Sequence, residues 1–253
     1  RDDSLSMPHL YMLEPYNPDK KVLVLIHGLA SSPEAWIRLT NDIMGDPVLR
    51  ENFQVWQVFY STNMPILESR FQINALVQQS FAQVANNAPA KKDAVLVGHS
   101  MGGVIARLMV SQADITQDAF KLVQNTRIAQ FKDNPLFKAR LQMQPIPNFS
   151  RAIFLATPHR GTEYADRWHT KLARKIIRIP GAFLGAFADT LQGEIGLKGF
   201  VKELGHDLIQ NGPSDLSENS KFTALTEDIQ PSKNIKFHSI IGNTVDTQDT
   251  KLM

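Results

Sequence analysis

Residues 94–110 read AVLVGHSMGGVIARLMV, a segment that joins an apolar strand pattern, a serine flanked by glycines and a helical pattern. The apolar run ends at Gly98, and the residues from Gly103 to Val110 are typical of a buried helix. A serine on such a sharp strand-to-helix turn needs glycine two positions before and after it, because side chains there would collide with the neighbouring backbone. The segment therefore predicts a nucleophile elbow with Ser100 as the exposed nucleophile.

Apolar strand patterns and helical patterns alternate along the rest of the chain. Alternation of this kind predicts an α/β fold with a mostly parallel sheet and helices on both faces, because each crossover between parallel strands carries a helix. We interpret residues 1–253 as one such domain with insertions. The predicted strands are 22–26, 53–60, 94–97, 152–156 and 235–241, and the predicted helices include 33–44 and the region around 73–84.

Two segments are too long for simple crossovers. Residues 113–148 separate the helix after Ser100 from the next strand, and residues 163–234 hold helical patterns without a convincing strand. The second segment predicts a helical cap or lid over the site. Its apolar residues around Phe183 and Phe187 are expected to line an acyl-binding site or to meet a lipid surface, with ordinary helix packing as the alternative.

A serine nucleophile also requires donors for the oxyanion that forms when it attacks a carbonyl group. One donor is expected to be the N–H of the residue after the nucleophile, which is Met101. The second usually comes from the loop after an early strand, where this chain has His27 and Gly28. We assign the second donor to the N–H of Leu29, with Ala30 as the alternative.

These segments together resemble the α/β-hydrolase superfamily, and within it the serine lipases and esterases. The resemblance rests on His27-Gly28-Leu29, on the segment 98–103 and on Thr157-Pro158-His159-Arg160-Gly161-Thr162, which is similar to a turn of bacterial lipases and inositol-deacylase-like lipases. It implies hydrolysis of carboxylic esters, with lipid acyl esters or small esters as substrates, through an acyl-serine intermediate. Two alternatives remain: a catalytically silent domain that binds a lipid or a protein, and an acyltransferase or amidase that uses the same serine.

The acid and the general base are harder to place. In this fold the serine is followed by the acid and then by the histidine. Asp246 is the nearest acid candidate, Asp249 and Asp166 are alternatives, and the last histidine, His238, lies within a predicted strand as a core or sheet residue. We expect the acid to lie outside these candidates and the histidine to lie beyond Met253, in a continuation of about 50 to 60 residues that would supply an acid loop, a strand, the histidine loop and a helix.

The remaining histidines receive structural interpretations. His27 is expected to brace the oxyanion loop, and His99 to pack inside the elbow with its ring directed away from the serine. His159 lies at the carboxyl end of a strand, where α/β sheets place ligands, but a role in stabilising its turn is favoured. His169 and His206 belong to the predicted cap.

The composition of the chain argues against several classes of partner and cofactor. The net charge is +2 from 27 basic and 25 acidic residues without a basic block, which argues against a nucleic-acid partner. The absence of cysteine excludes disulfides and thiolate metal sites, the histidines lack metal-ligand spacing, and no cofactor is expected. Apolar runs are too short to span a membrane, which leaves peripheral membrane contact as the expected mode of any lipid association.

The first residue, Arg1, is consistent with a removed signal peptide, a lipoprotein leader or a shortened sequence. Among cellular locations we favour the bacterial periplasm, the cell envelope or secretion.

Overall fold

The computed structural model describes residues 7–29, 31–122, 130–162 and 212–242. Within these ranges the strands are β1 (His9–Met12), β2 (Lys21–Ile26), β3 (Phe53–Phe59), β4 (Ala94–His99), β5 (Ala113–Asp114), β6 (Gln142–Met143), β7 (Phe149–Leu155) and β8 (Lys236–Ile240). The α-helices are α1 (Ile37–Gly45), α2 (Pro47–Asn52), α3 (Ile66–Ala82), α4 (Met101–Met109), α5 (Thr116–Lys121), α6 (Pro135–Leu141), α7 (Gly212–Asp215) and α8 (Lys221–Thr226).

The main sheet has the strand order β1-β3-β2-β4-β7-β8. All of its pairs are parallel except β1 with β3, which is antiparallel. The predicted α/β class with a mostly parallel sheet is therefore confirmed, and each of the five predicted strands is present. The sequence patterns did not reveal β1, because it is only four residues long and its side chains lie on the partly exposed edge of the sheet.

Helices cover both faces of the sheet, and the side chains of β2 show how the two cores divide. Val22, Val24 and Ile26 join the larger core, which contains the apolar faces of α3 and α4. Leu23 and Leu25 point to the other face, where they pack with Trp36 and Ile43 near α1. Each of these side chains contributes about 1.5–3 kcal/mol by burial, which explains why a continuous apolar run forms a central strand.

The predicted insertion at 113–148 packs onto the domain. Its β5 and β6 form a small antiparallel sheet, and Phe120 and Phe137 enter the larger core. The Arg140 guanidinium of α6 donates to the buried carboxylate of Glu68 in α3, with a distance of 3.2 Å from Nη2 to Oε1. An ion pair so poorly exposed to water fixes the insertion against α3.

The predicted cap at 163–234 is described only from residue 212 onward. There α7 and α8 pack on the main body, and Leu216 and Phe222 belong to its larger core. Residues 163–211 lie outside the described residues, and the helical cap or lid over 163–234 stays a prediction.

Strand β8 lies at the end of the sheet order within the described ranges. Ile235 is buried, whereas Phe237 is 48% exposed, Ile240 57% and Ile241 62%, so three of these four apolar residues lie on the surface. His238 is a sheet residue but not a core residue, since it is exposed and contacts Arg151. No helix in the described ranges combines the length and apolar character needed to cross a bilayer.

Candidate active site

Ser100 occupies the turn between β4 and α4 with a backbone that L-residues rarely adopt. Its φ is 52° and its ψ is −124°. The Ser100 N–H donates to the Leu155 carbonyl at 2.9 Å, and the Ser100 carbonyl accepts from the Gly103 N–H at 2.9 Å. A positive φ at a residue with a Cβ atom costs about 1–3 kcal/mol, and the paired strands and the helix hold it in place. The turn leaves the serine partly exposed.

The two elbow glycines are explained by close approach of backbones. A Cβ atom on Gly98 would overlap the carbonyl oxygen of Gly102, and one on Gly102 would overlap the carbonyl oxygen of Ile26. The start of α4 therefore lies directly against the ends of β4 and β2. Any larger residue would push the helix away from the sheet and move the serine with it.

Strands β2 and β4 are neighbours whose outgoing connections run to opposite sides of the sheet, β2 to β3 and β4 to β7. Such a switch point opens a crevice at the carboxyl ends of the strands, where α/β proteins bind ligands. Gly28 leads the β2 connection, and a Cβ atom on it would lie 2.9 Å from the Cβ of Ser100. The loop that continues into Leu29 therefore passes directly beside the serine.

The N–H groups of Leu29 and Met101 donate to no acceptor within the described ranges. Met101 begins α4, where the first N–H groups of a helix have no intrahelical acceptor and carry the positive end of the helix dipole. Both candidate oxyanion donors thus come from segments adjacent to Ser100.

His27 is fully buried at the base of this loop. The Tyr60 N–H donates to its Nε2 at 3.4 Å, so the proton resides on Nδ1, which donates to the Gly28 carbonyl at 3.0 Å. Burial lowers the pKa of His27, against the opposing effect of the Gly28 hydrogen bond, and keeps the ring neutral. These contacts support the expected bracing role, because the ring fixes the backbone immediately before Leu29.

The other two histidines near the strand ends have apolar surroundings. His99 lies edge-on to Trp36 with 6.3 Å between ring centroids, and burial lowers its pKa. His159 lies edge-on to Phe154 at 5.0 Å, and burial together with the nearby Arg107 charge lowers its pKa to about 4. Among the described residues neither ring is hydrogen-bonded to Ser100.

Several predicted site residues fall outside the described residues. All of them remain predictions. They comprise the acid candidates Asp246, Asp249 and Asp166, the cap residues Phe183 and Phe187, the histidines His169 and His206, and the alternative donor Ala30. In the part of the chain that is described, no cluster of three or more His, Asp or Glu side chains could hold a metal ion.

Three buried polar residues near the site were not identified from the sequence. The Tyr60 hydroxyl donates to the His27 carbonyl at 2.9 Å. Arg107 in α4 donates through Nη1 to the carbonyls of Thr226 and Ile229, both at 2.6 Å, and so ties the elbow helix to the segment after α8. Asp215 accepts a hydrogen bond from the Ile66 N–H. Only Arg107 had a sequence signal, as the single charge in an otherwise apolar helix.

Comparison with known proteins found a family model that matches part of this chain. The sequence profile of the PGAP1-like alpha/beta domain matches residues 18–126, which include the Leu29 loop, the elbow and three of the six strands of the main sheet. This match covers less than half of the chain. A comparison with curated protein sequences found no significant match.

Similar solved structures include bacterial lipases and esterases with low sequence identity to this chain. The mature form of Bacillus licheniformis lipase BlEst2 shares 17% identity with a TM-score of 0.47, over 94% of this chain and 74% of that one. For the propeptide form the values are 16% and 0.44, over 94% and 40%. The apo form of Thermogutta terrifontis esterase 2 shares 12% identity with a TM-score of 0.38, over 69% and 59%.

Proposed function

We propose that this chain is a serine hydrolase that cleaves carboxylic esters through an acyl-serine intermediate, with Ser100 as the nucleophile. The observation that carries the proposal is the position of Ser100, on a strained turn beside two N–H groups that have no other acceptor in the described ranges. Strain of this kind persists only where the surrounding structure enforces it, and it concentrates at functional sites.

The reaction would proceed in two halves. In the first, a histidine outside the described residues removes the Ser100 proton as Oγ forms a bond to the ester carbonyl carbon, and the N–H groups of Leu29 and Met101 stabilise the oxyanion. The C–O bond to the alcohol then breaks, and the histidine returns the proton to the departing alcohol. In the second half water attacks the acyl-serine in the same way, which releases the carboxylic acid and restores Ser100.

The resemblance to lipases favours lipid acyl esters over other carboxylic esters as substrates. In this proposal Phe183 and Phe187 contact the acyl chain, and the acid that orients the histidine is Asp246 or another carboxylate outside the described residues. The protein would then meet its substrate as a dispersed ester or at a membrane surface.

An active-site fluorophosphonate probe tests the proposal on the full-length protein, because phosphonylation requires an activated hydroxyl. We expect the wild-type protein to be labelled and to hydrolyse p-nitrophenyl butyrate, and Ser100→Ala to do neither. The matched control is Ser80→Ala, which removes a hydroxyl that donates to a helix carbonyl in α3 and should leave labelling unchanged.

A folded full-length protein that is neither labelled nor active would refute the proposal. That result would favour the catalytically silent domain, for which the structure offers one argument: among the described residues no side chain is hydrogen-bonded to Ser100. Labelling without ester hydrolysis would point instead to an acyltransferase or amidase, which product analysis with added alcohols or amides would identify.

A further inference from the structure

The long helix α3 has no N-terminal cap of its own. Pro65 precedes it, and no side chain of the local sequence bonds to its first N–H groups. The cap comes instead from Asp215, whose Oδ2 accepts from the Ile66 N–H at 2.8 Å across 149 positions of sequence. Because unsatisfied N–H groups at a buried helix start are costly, this bond holds the Gly212–Asp215 segment firmly to α3.

The same segment is fixed from its other side by α8. The Ser220 hydroxyl donates to the Asp215 carbonyl at 2.7 Å, and the Thr223 hydroxyl donates to the nearby Ser217 carbonyl at 2.8 Å. Both the side chain and the backbone of Asp215 are therefore held, and the residue is only 4% exposed.

Three residues before Asp215, the chain passes over the start of the elbow helix. A Cβ atom on Gly212 would lie 2.9 Å from Sδ of Met101, 2.6 Å from the Thr62 carbonyl oxygen and 3.1 Å from that of Met64. The fully buried Met101 side chain is thus packed beneath the Gly212 backbone. Met101 carries the N–H that we assign to the oxyanion, directly after Ser100.

We propose that Asp215 is a positioning residue for the oxyanion donor: it anchors α7 to α3 and thereby holds Gly212 on Met101, which fixes the N–H next to Ser100. This inference rests on the proposed ester hydrolysis. The residue acts through Met101 and touches no reacting atom. Displacement of a catalytic group by about 1 Å lowers reaction rates by up to about a hundredfold. Loose packing of Gly212 on Met101 would therefore lower the rate of ester hydrolysis.

The choice of variants depends on whether the Asp215 carboxyl must be charged to accept the hydrogen bond from Ile66. Burial raises the pKa of Asp215 well above its usual range, since only one hydrogen bond, from Ile66, favours the charged form. The positioning role therefore needs an acceptor and not a charge. Asparagine supplies an acceptor of nearly the same shape, whereas alanine removes it.

Steady-state hydrolysis of p-nitrophenyl butyrate by the full-length protein tests the inference. We expect Asp215→Ala to lower kcat about tenfold with KM changed less than twofold, and Asp215→Asn to remain within about twofold of wild type in both. Gly212→Ala tests the same contact independently of the cap, and it should give the same selective loss in kcat.

The control is Asp46→Ala, which removes an aspartate cap from α2, where the Leu49 N–H donates to Asp46 Oδ1 at 2.9 Å. It should lower the melting temperature while leaving kcat unchanged. Wild-type kcat in either Asp215→Ala or Gly212→Ala would overturn the inference, as would an asparagine variant as impaired as alanine. A wild-type protein that neither hydrolyses the ester nor is labelled by the probe would refute the proposed function. An active wild-type protein whose kcat is unchanged by these substitutions would refute only the positioning role of Asp215.

Discussion

Replacement of Ser100 by glycine should make the protein more stable while abolishing its reactivity with ester substrates. The φ of 52° and ψ of −124° at this position are accessible to glycine without cost but are strained for any residue with a Cβ atom. Ser100→Ala is the matched reference, because it also removes the hydroxyl group but keeps the strain.

The size of the effect follows from two opposing contributions. Relief of the strain stabilises the folded state by about 1–3 kcal/mol, whereas glycine loses about 0.5–1 kcal/mol more than alanine in backbone entropy on folding. The net difference between Ser100→Gly and Ser100→Ala is therefore about 1 kcal/mol in the free energy of unfolding. For a chain of 253 residues this corresponds to a rise in Tm of about 2 °C.

Urea denaturation monitored by circular dichroism measures this difference, with thermal melting as a second measurement. Both variants should remain unlabelled by a fluorophosphonate probe. If Ser100→Gly unfolds at the same urea concentration as Ser100→Ala, or at a lower one, the reasoning that the turn stores strain is wrong.

Two further predictions concern sites where the structure gives an internal comparison. Gly102→Ala should destabilise the protein by at least about 3 kcal/mol, because its Cβ would overlap the Ile26 carbonyl, whereas Gly45→Ala in α1 has open space and should stabilise it by up to about 1 kcal/mol; urea denaturation of both variants checks this. His159 has a pKa lowered to about 4, below that of an unfolded histidine, so its neutral form favours folding above about pH 6.5 and this contribution is lost as the pH falls toward 4. His159→Gln should therefore lose less stability than wild type between pH 7 and pH 4.5, and equal losses would show that the histidine does not drive the acid sensitivity.

Local sequence patterns were enough to predict the strands and turns that surround Ser100. The apolar run 94–97, the glycine spacing around Ser100 and the strand before Gly28 each depend on contacts within a few residues or on backbone geometry, which the sequence expresses directly. Parallel pairing followed from the alternation of strands and helices, since parallel strands require crossovers.

The features that the sequence did not reveal depend on distant partners. The bond between Asp215 and Ile66 joins residues 149 positions apart, and neither residue belongs to a recognisable motif. The same holds for the packing of Leu216 and Phe222 into the larger core, which no local sequence pattern indicates. Strand β1 has too few residues for a periodic pattern and pairs at a sheet edge, where both polar and apolar side chains are accepted.

The pairing of β2 with β4 also has a consequence for the time course of folding. Val24 pairs with Leu96, so the pairing of the two central strands closes a loop that contains β3 and α3. Closing such a long loop is slow, because its entropy is lost before any contact compensates for it. The Ser100 backbone can be held in its strained conformation only after this closure, so the serine should become reactive at a late stage of folding. The rate at which refolding protein acquires labelling by a serine-directed probe would then report the completion of the central sheet.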